Sequence, residues 1–263
     1  MVGTKDDGQL LRDAVLRAGK LVLDAQGCTQ ELAQKAGNEP LSETDLAANE
    51  FLREQLTSAR PSYGWLSEES ADDLGRLDRE KVWIVDPIDG TRAFLRGGTD
   101  YVVSVALVFR GRPLLAALFA PARDEFYFAE AGHGAWQNGK AIRVSRTATL
   151  TASRAIAASG FLESQRLWRQ PWPKLNISQF NSVALRICLV ASGRFDFTIT
   201  TRRKREWDLA AADLIVTEAG GKCLGRSGET FVYNREDTRQ GPVVATNAIL
   251  DKQIFDLFRR AEG

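Results

Sequence analysis

Residues 83–91 read Trp-Ile-Val-Asp-Pro-Ile-Asp-Gly-Thr. An apolar run with the character of a buried strand delivers Asp86, and Asp89 follows three residues later. Pro87 stiffens the turn and removes one backbone donor, so Asp89 can come round to the same side. Gly90 lets the backbone approach a ligand, and the amides of Gly90 and Thr91 can point at an anion. Carboxylates beside amide donors make a poor anion site alone. With divalent cations between them they make a good phosphate site, because hard cations such as Mg²⁺ share oxygen ligands among carboxylate, water and phosphate. The same residue types also suit a plain Asx-type turn between a strand and a helix.

Two further acidic stretches flank this one. Upstream, Gly64-Trp-Leu-Ser67 runs into Glu68, Glu69 and Ser70. Downstream, Trp207-Asp208 opens a helical pattern carried by Leu209, Leu214, Ile215 and Val216, which Gly220 and Gly221 end. Taken singly, Asp208 is an acid favoured by a helix N-terminus, and Glu68 is a solvated surface acid.

The elements that must position these groups fall into two halves. Apolar residues Leu10, Leu11, Ala14, Val15, Ala18, Leu21 and Val22 recur at helical spacing, which predicts a helix over 9–26. A second helix is expected over 45–57, after the capping-type opening Ser42-Glu43-Thr44-Asp45. Residues 35–41 read as a loop. Strands are expected over 101–109 and 114–119, joined by a turn over 110–113, and again over 126–128 and 141–144. The polar, Thr-rich segment 145–153 is a candidate boundary, which divides the chain into an α+β half, 1–148, and an α/β half, 149–263. The second half alternates: a strand over 155–159, a helix over 182–192, a strand over 195–199, the Asp208 helix, and a strand over 243–245. Alternation of this kind implies a layered α/β arrangement.

Composition excludes several functions. The 263 residues are 44% hydrophobic, enough for a full core. A net charge of +1 gives no whole-protein attraction to nucleic acid or to an anionic membrane. No apolar run approaches the ~20 residues that span a bilayer, and the N-terminus has no apolar signal core. Cys28, Cys188 and Cys223 are far apart with no Cys-x-x-Cys, which argues against a disulfide framework or zinc site and suits a reducing, cytoplasmic setting. His133 is the only histidine and sits between glycines, as a turn residue would; a His-rich metal site is excluded.

Together, Glu-Glu-Ser, then Asp-Pro-Ile-Asp-Gly-Thr, then Trp-Asp with its Glu-Ala-Gly-Gly ending resemble the inositol monophosphatase superfamily of Mg²⁺-dependent, lithium-sensitive phosphomonoesterases. The likeness runs over roughly residues 10–250 and takes in Gly134-Ala-Trp-Gln-Asn-Gly139 and Ala191-Ser-Gly-Arg-Phe-Asp196. It implies a layered α-β-α-β-α sandwich with the site between the halves. It also implies two or three Mg²⁺ ions held by Glu68, Asp86, Asp89, Asp208 and the carbonyl of Ile88. By the same resemblance, Glu68 and the Thr91 hydroxyl hold the attacking water, Asp45 orients Thr91, and Gly90 and Thr91 bind phosphate oxygens. No covalent intermediate is needed. Asp45 can equally be only a helix cap. Glu69 either supports the ligands from behind or is structural, and Lys35 falls where the family places a loop lysine near the third metal, although a lone lysine in a polar loop is usually just solvated. The family is often dimeric, so a homodimer is a possible state.

The departures bear on the substrate, expected to be a small phosphorylated metabolite. Asn181-Ser182-Val183-Ala184 replaces a Gly-Ser/Thr-Ala-Ala segment, with Ser182 on the substrate side. Thr201 stands where inositol monophosphatases carry a glutamate for inositol hydroxyls, and Arg202, Arg203, Lys204 and Arg205 follow it. Four consecutive basic residues cannot all face one pocket. Arg202 and Arg205 are expected to meet a second phosphate, since guanidinium binds phosphate in a bidentate fork; the bland alternative is a solvated charge run. Together with Arg92 after the Asp-Gly-Thr, these features favour a 3′(2′),5′-bisphosphate nucleotidase acting on 3′-phosphoadenosine 5′-phosphate. Inositol-1-phosphate, fructose 1,6-bisphosphate and histidinol phosphate are alternatives. A non-catalytic metal- or partner-binding protein on the same fold is the reading of another class.

Overall fold

The computed structural model describes residues 5–28, 32–34, 40–158 and 172–257. The chain begins with α1 (Lys5–Ala25), a short hairpin of β1 (Leu32–Gln34) and β2 (Pro40–Ser42), and α2 (Glu43–Ala59). A seven-stranded sheet follows, its strands side by side in chain order. They are β3 (Gly64–Ser67), β4 (Lys81–Asp89), β5 (Val102–Phe109), β6 (Arg112–Ala120), β7 (Glu125–Glu130), β8 (Gly134–Gln137) and β9 (Lys140–Ala141). Only β3 and β4 run parallel. The short helix α3 (Thr91–Leu95) interrupts the path from β4 to β5.

The rest of the chain builds a second sheet of five strands and the helices that cover it. In sequence these are β10 (Arg154–Ala157), β11 (Asn176–Gln179), α4 (Val183–Ala191), β12 (Phe197–Ile199), β13 (Lys204–Arg205), α5 (Glu206–Glu218), β14 (Lys222–Gly225), β15 (Arg239–Gln240), β16 (Val243–Thr246) and α6 (Asp251–Phe255). The spatial order is β11-β10-β12-β16-β14, while β13 and β15 form a separate pair.

Alternating side chains explain the layers. Trp83, Val85, Val103, Val105 and Leu107 meet Leu11, Val15, Ala18 and Val22 of α1 and Ala48, Leu52 and Leu56 of α2. The in-between residues Val82, Ile84, Val102, Ala106 and Val108 face α4 and α5. With both faces covered, these strands read as continuous apolar runs rather than half-polar ones. The far sides of α4 and α5 meet Cys223, Val243 and Ala245 of the second sheet. Its outer face, with Ala155, Phe197, Ile199 and Val244, is closed by Leu250, Ile254 and Leu257. The result is the expected α-β-α-β-α sandwich.

Several boundaries differ from expectation. The expected strand over 141–144 ends its regular pairing at Ala141; the Ile142 amide still donates to the Ala135 carbonyl of β8, while the Val144 amide turns to the Ala219 carbonyl at the end of α5. The turn after β5 is only Arg110 and Gly111, because Arg112 and Pro113 already pair with Phe109 and Val108. Ser182 caps α4 rather than lying inside it: its hydroxyl accepts from the Leu185 amide at 3.0 Å. The strand expected over 195–199 shortens to Phe197–Ile199, since the Phe195 amide still closes the turn after α4 by donating to the Leu189 carbonyl. The strand expected over 155–159 ends at Ala157, and Ser159 lies outside the described residues.

Candidate active site

Asp86 and Asp89 sit three apart on one strand, a spacing that would put them on opposite faces of a regular pleat. The pairing with β5 resolves this: Asp86 lies opposite Ser104 and Asp89 opposite Val102. Three steps on β4 match two on β5, so one extra residue bulges out and both carboxylates reach the same side. The Ile88 amide donates to Asp86 Oδ1 at 3.1 Å, so the Asx-turn reading is also realised. Gly90 then turns the chain with φ of 102°; a Cβ there would stand 2.7 Å from the Asp100 carbonyl oxygen. Only glycine accepts both the torsion and the contact.

Asp208 approaches from the other half as the third residue of α5, where its Oδ2 accepts from the Arg205 amide at 2.7 Å. One carboxylate oxygen from each of Asp86, Asp89 and Asp208 lies within 4.8 Å of the others. Glu68, Ile88, Gly90, Thr91, Arg92, Asn181, Pro40 and Lys204 complete the cleft around them. Burial, and then the Asp208 charge, push the Asp89 carboxyl up to about 6. Converging, largely buried like charges are unfavourable alone. An all-oxygen donor set of this kind fits a hard divalent cation.

Asp89 is fastened from behind. Its Oδ2 accepts from the Ser182 hydroxyl at 2.6 Å and from the Ala184 amide at 2.7 Å. Ser182, expected on the substrate side, is fully buried and outside the cleft lining, so its contact is with Asp89. The two readings of Asp45 are both present. Its Oδ2 accepts from the Ser42 amide at 2.9 Å in a capping box, while its Oδ1 lies 3.2 Å from Thr91 Oγ1. Thr91 Oγ1 also lies 3.0 Å from the Ile88 carbonyl.

The basic run divides. Lys204 lines the cleft. Arg205 turns away, its Nη1 donating to Thr238 Oγ1 at 3.0 Å and its guanidinium lying 5.7 Å from the Trp207 ring centroid. Arg202 is exposed and does not line the cleft. The pleat of β13 separates Lys204 from Arg205, since adjacent residues of a strand point to opposite sides, and Arg202 precedes the strand. Arg92 and Asn181 line the cleft as well. Lys35 lies outside the described residues.

Comparison with known proteins agrees with this geometry. The profile of the Inositol monophosphatase family matches residues 8–262. The inositol-1-monophosphatase of Rhizobium meliloti is 34% identical over 258 residues, covering 94% of each chain. The histidinol-phosphatase of Chlorobaculum parvum is 34% identical over 252 residues, covering 92% of this chain and 93% of the other. The crystal structure of the extragenic suppressor protein suhB from Bartonella henselae superposes with a TM-score of 0.82 at 28% identity, covering 94% of this chain and 96% of that one. A bulged Asp-x-x-Asp strand end, an aspartate brought across from α5 and a whole-length family match lead to one conclusion: this chain belongs to the inositol monophosphatase family of metal-dependent phosphomonoesterases.

Proposed function

We propose that the protein is a Mg²⁺-dependent phosphatase for a small metabolite carrying two phosphates, with 3′-phosphoadenosine 5′-phosphate as the leading candidate. The observation that carries this reading is Lys204 on the cleft wall beside Asp208, with Arg92 also lining the cleft. Two cations bordering a carboxylate cluster suit a substrate whose second anionic group lies outside the metal cradle. Thr201, in place of an acid that would hold sugar hydroxyls, points the same way.

Asp86, Asp89 and Asp208, with Glu68, would hold the cation. When bound it neutralises phosphate charge and makes a coordinated water more acidic. The remaining work belongs to the chain. The Thr91 hydroxyl proton is engaged by Asp45 or by the Ile88 carbonyl, so its oxygen can only accept from a water in the cleft. A water donating to Thr91 and to Glu68 presents its lone pair to phosphorus, and Glu68 takes the proton as attack proceeds. The ester P–O bond breaks and the leaving alkoxide is protonated from solvent. Gly90 keeps the backbone close enough for phosphate oxygens to reach the Gly90 and Thr91 amides.

The test is phosphate release with Mg²⁺ from 3′-phosphoadenosine 5′-phosphate, inositol 1-phosphate, fructose 1,6-bisphosphate and histidinol phosphate, for the wild type, Lys204→Ala and Arg205→Ala. The bisphosphate nucleotide should be preferred, and Lys204→Ala should lower its kcat/KM by about tenfold or more, with Arg205→Ala within about twofold of wild type. Equal effects of the two changes would overturn the role given to Lys204. The name of the Rhizobium meliloti relative favours a second reading, inositol-1-phosphate hydrolysis. Preference for that substrate, indifferent to Lys204→Ala, would establish it. A protein that binds Mg²⁺ but hydrolyses none of the four would belong to the non-catalytic class. Whether the protein forms a homodimer is decided by light scattering. Among the described residues no helix is long and apolar enough to cross a membrane.

A further inference from the structure

Every residue of α4 is buried, and one of them, Arg186, is charged. It is 2% exposed and among the largest fully buried side chains of the protein. Its Nε donates to the Ser182 carbonyl at 3.3 Å. Its Nη1 is buried and, among the described residues, has no hydrogen-bond partner. Among the described residues Arg186 makes no ion pair. A guanidinium in such a place is costly unless something offsets its desolvation. The charges that act on it are those of Asp89 and then Asp208. Burial pulls its pKa down only to about 10, so it stays protonated at neutral pH.

Arg186 is buried outside the residues that line the cleft, one residue removed from Asp89. Ser182 connects the two: its carbonyl receives Arg186 Nε, and its hydroxyl donates to Asp89. Lys204, whose charge holds the Asp89 carboxyl down, lines the cleft instead. A fully buried fixed charge is screened far less by salt and water than a half-buried lysine on a cleft wall.

We propose that Arg186 is a positioning residue that serves as the permanent counter-charge of the metal cradle: it holds the metal-free carboxylates together and limits how tightly they grip a divalent cation. With Arg186 in place the emptied cradle is not left with three uncompensated charges, and the cation competes with a positive charge already present. This inference rests on the assignment of Asp86, Asp89 and Asp208 as metal ligands. The two can fail separately: a wild type that binds no Mg²⁺ sinks the ligand assignment and this inference with it, whereas normal wild-type binding with an unaltered variant sinks only the role of Arg186.

The test is Mg²⁺ titration by calorimetry, without substrate, of the wild type, Arg186→Met and Arg186→Lys, with folding followed by circular dichroism. Methionine matches the apolar surroundings of α4 and removes the charge. Its dissociation constant for Mg²⁺ should fall about tenfold or more, and Arg186→Lys should stay close to wild type. A residue that merely fills space would give the opposite sign or none when removed, because a disturbed α4 would loosen Asp89. Weaker or unchanged affinity in a folded Arg186→Met would overturn the proposal, as would Arg186→Lys behaving like Arg186→Met. If Arg186→Met is unfolded without metal, Mg²⁺ should restore its native spectrum; failure of Mg²⁺ to do so would also overturn it.

Discussion

Replacing Ser182 by alanine separates two roles that sequence leaves mixed. The hydroxyl accepts from the Leu185 amide at 3.0 Å and donates to Asp89 Oδ2 at 2.6 Å. Losing an N-cap costs ~1 kcal/mol. Losing a buried hydrogen bond to a charged group costs ~1.5–3 kcal/mol. Ser182→Ala should therefore destabilise the metal-free protein by about 3 kcal/mol in urea unfolding with chelator present. The Ala184 amide stays on Asp89, so the carboxylate remains in place but loses one of the contacts that favour its ionised form. Its pKa, already about 6, rises further. Protons then compete better with metal, and for a rise of one pKa unit Mg²⁺ affinity at pH 6 should drop by about fivefold. At pH 8 the carboxylate is ionised in both proteins, and the loss should shrink. With metal saturating, KM for substrate should move by less than about twofold. A Ser182→Ala variant with wild-type stability and metal affinity but a raised KM would refute this reasoning and return Ser182 to the substrate side.

Two other outcomes are expected. Gly90→Ala imposes a side chain at φ of 102° and 2.7 Å from the Asp100 carbonyl oxygen; turnover should fall by at least about a hundredfold through misplacement of Thr91, and near-normal turnover would show that the turn can relax. The Asp213 carboxyl, 2.7 Å from the Tyr233 hydroxyl, is pushed by burial from 3.8 up to about 6. A folded pKa raised in this way gives stability that is complete below pH 3.8 and lost as pH rises through about 6. Asp213→Asn should consequently lose less Tm than wild type between pH 5 and pH 7.5, both measured with chelator; parallel curves would exclude Asp213 as a source of the slope.

The centre of the site was legible because it is local. The apolar run into Asp86, the proline and the Gly90-Thr91 pair each act through their own backbone, and the bulge that aligns Asp86 with Asp89 lies within four residues. Helix α5 was legible for the same reason, from Asp208 to the terminating glycines. What escaped depends on docking. Whether Ser182 faces substrate or Asp89 is decided by how α4 meets β4, far away in sequence. Lys204 and Arg205 are chemically alike, and only the two-residue pairing of β13 with β15 sends one inward. Arg186 reads as a polar break on a helix until both faces of α4 are seen to be covered. Ile142 and Val144 have the composition of a strand, yet only Ile142 keeps a bond to β8, because the Val144 amide is drawn to the end of α5, an element far away in sequence.

The reach of Asp89 across the chain also governs when the site comes into being. Its partners Ser182 and Ala184 lie 93 and 95 residues further on. Closing so long a loop is slow and is rewarded only late in folding, when the two sheets have clasped α4 and α5 between them. A half-folded chain thus offers the cation nothing to hold. Loading the cradle should leave the folding rate unchanged and slow unfolding in proportion to the binding energy, as for any contact missing from the transition state. Bound metal would then act on this protein through kinetic persistence of the finished fold rather than through any help in reaching it.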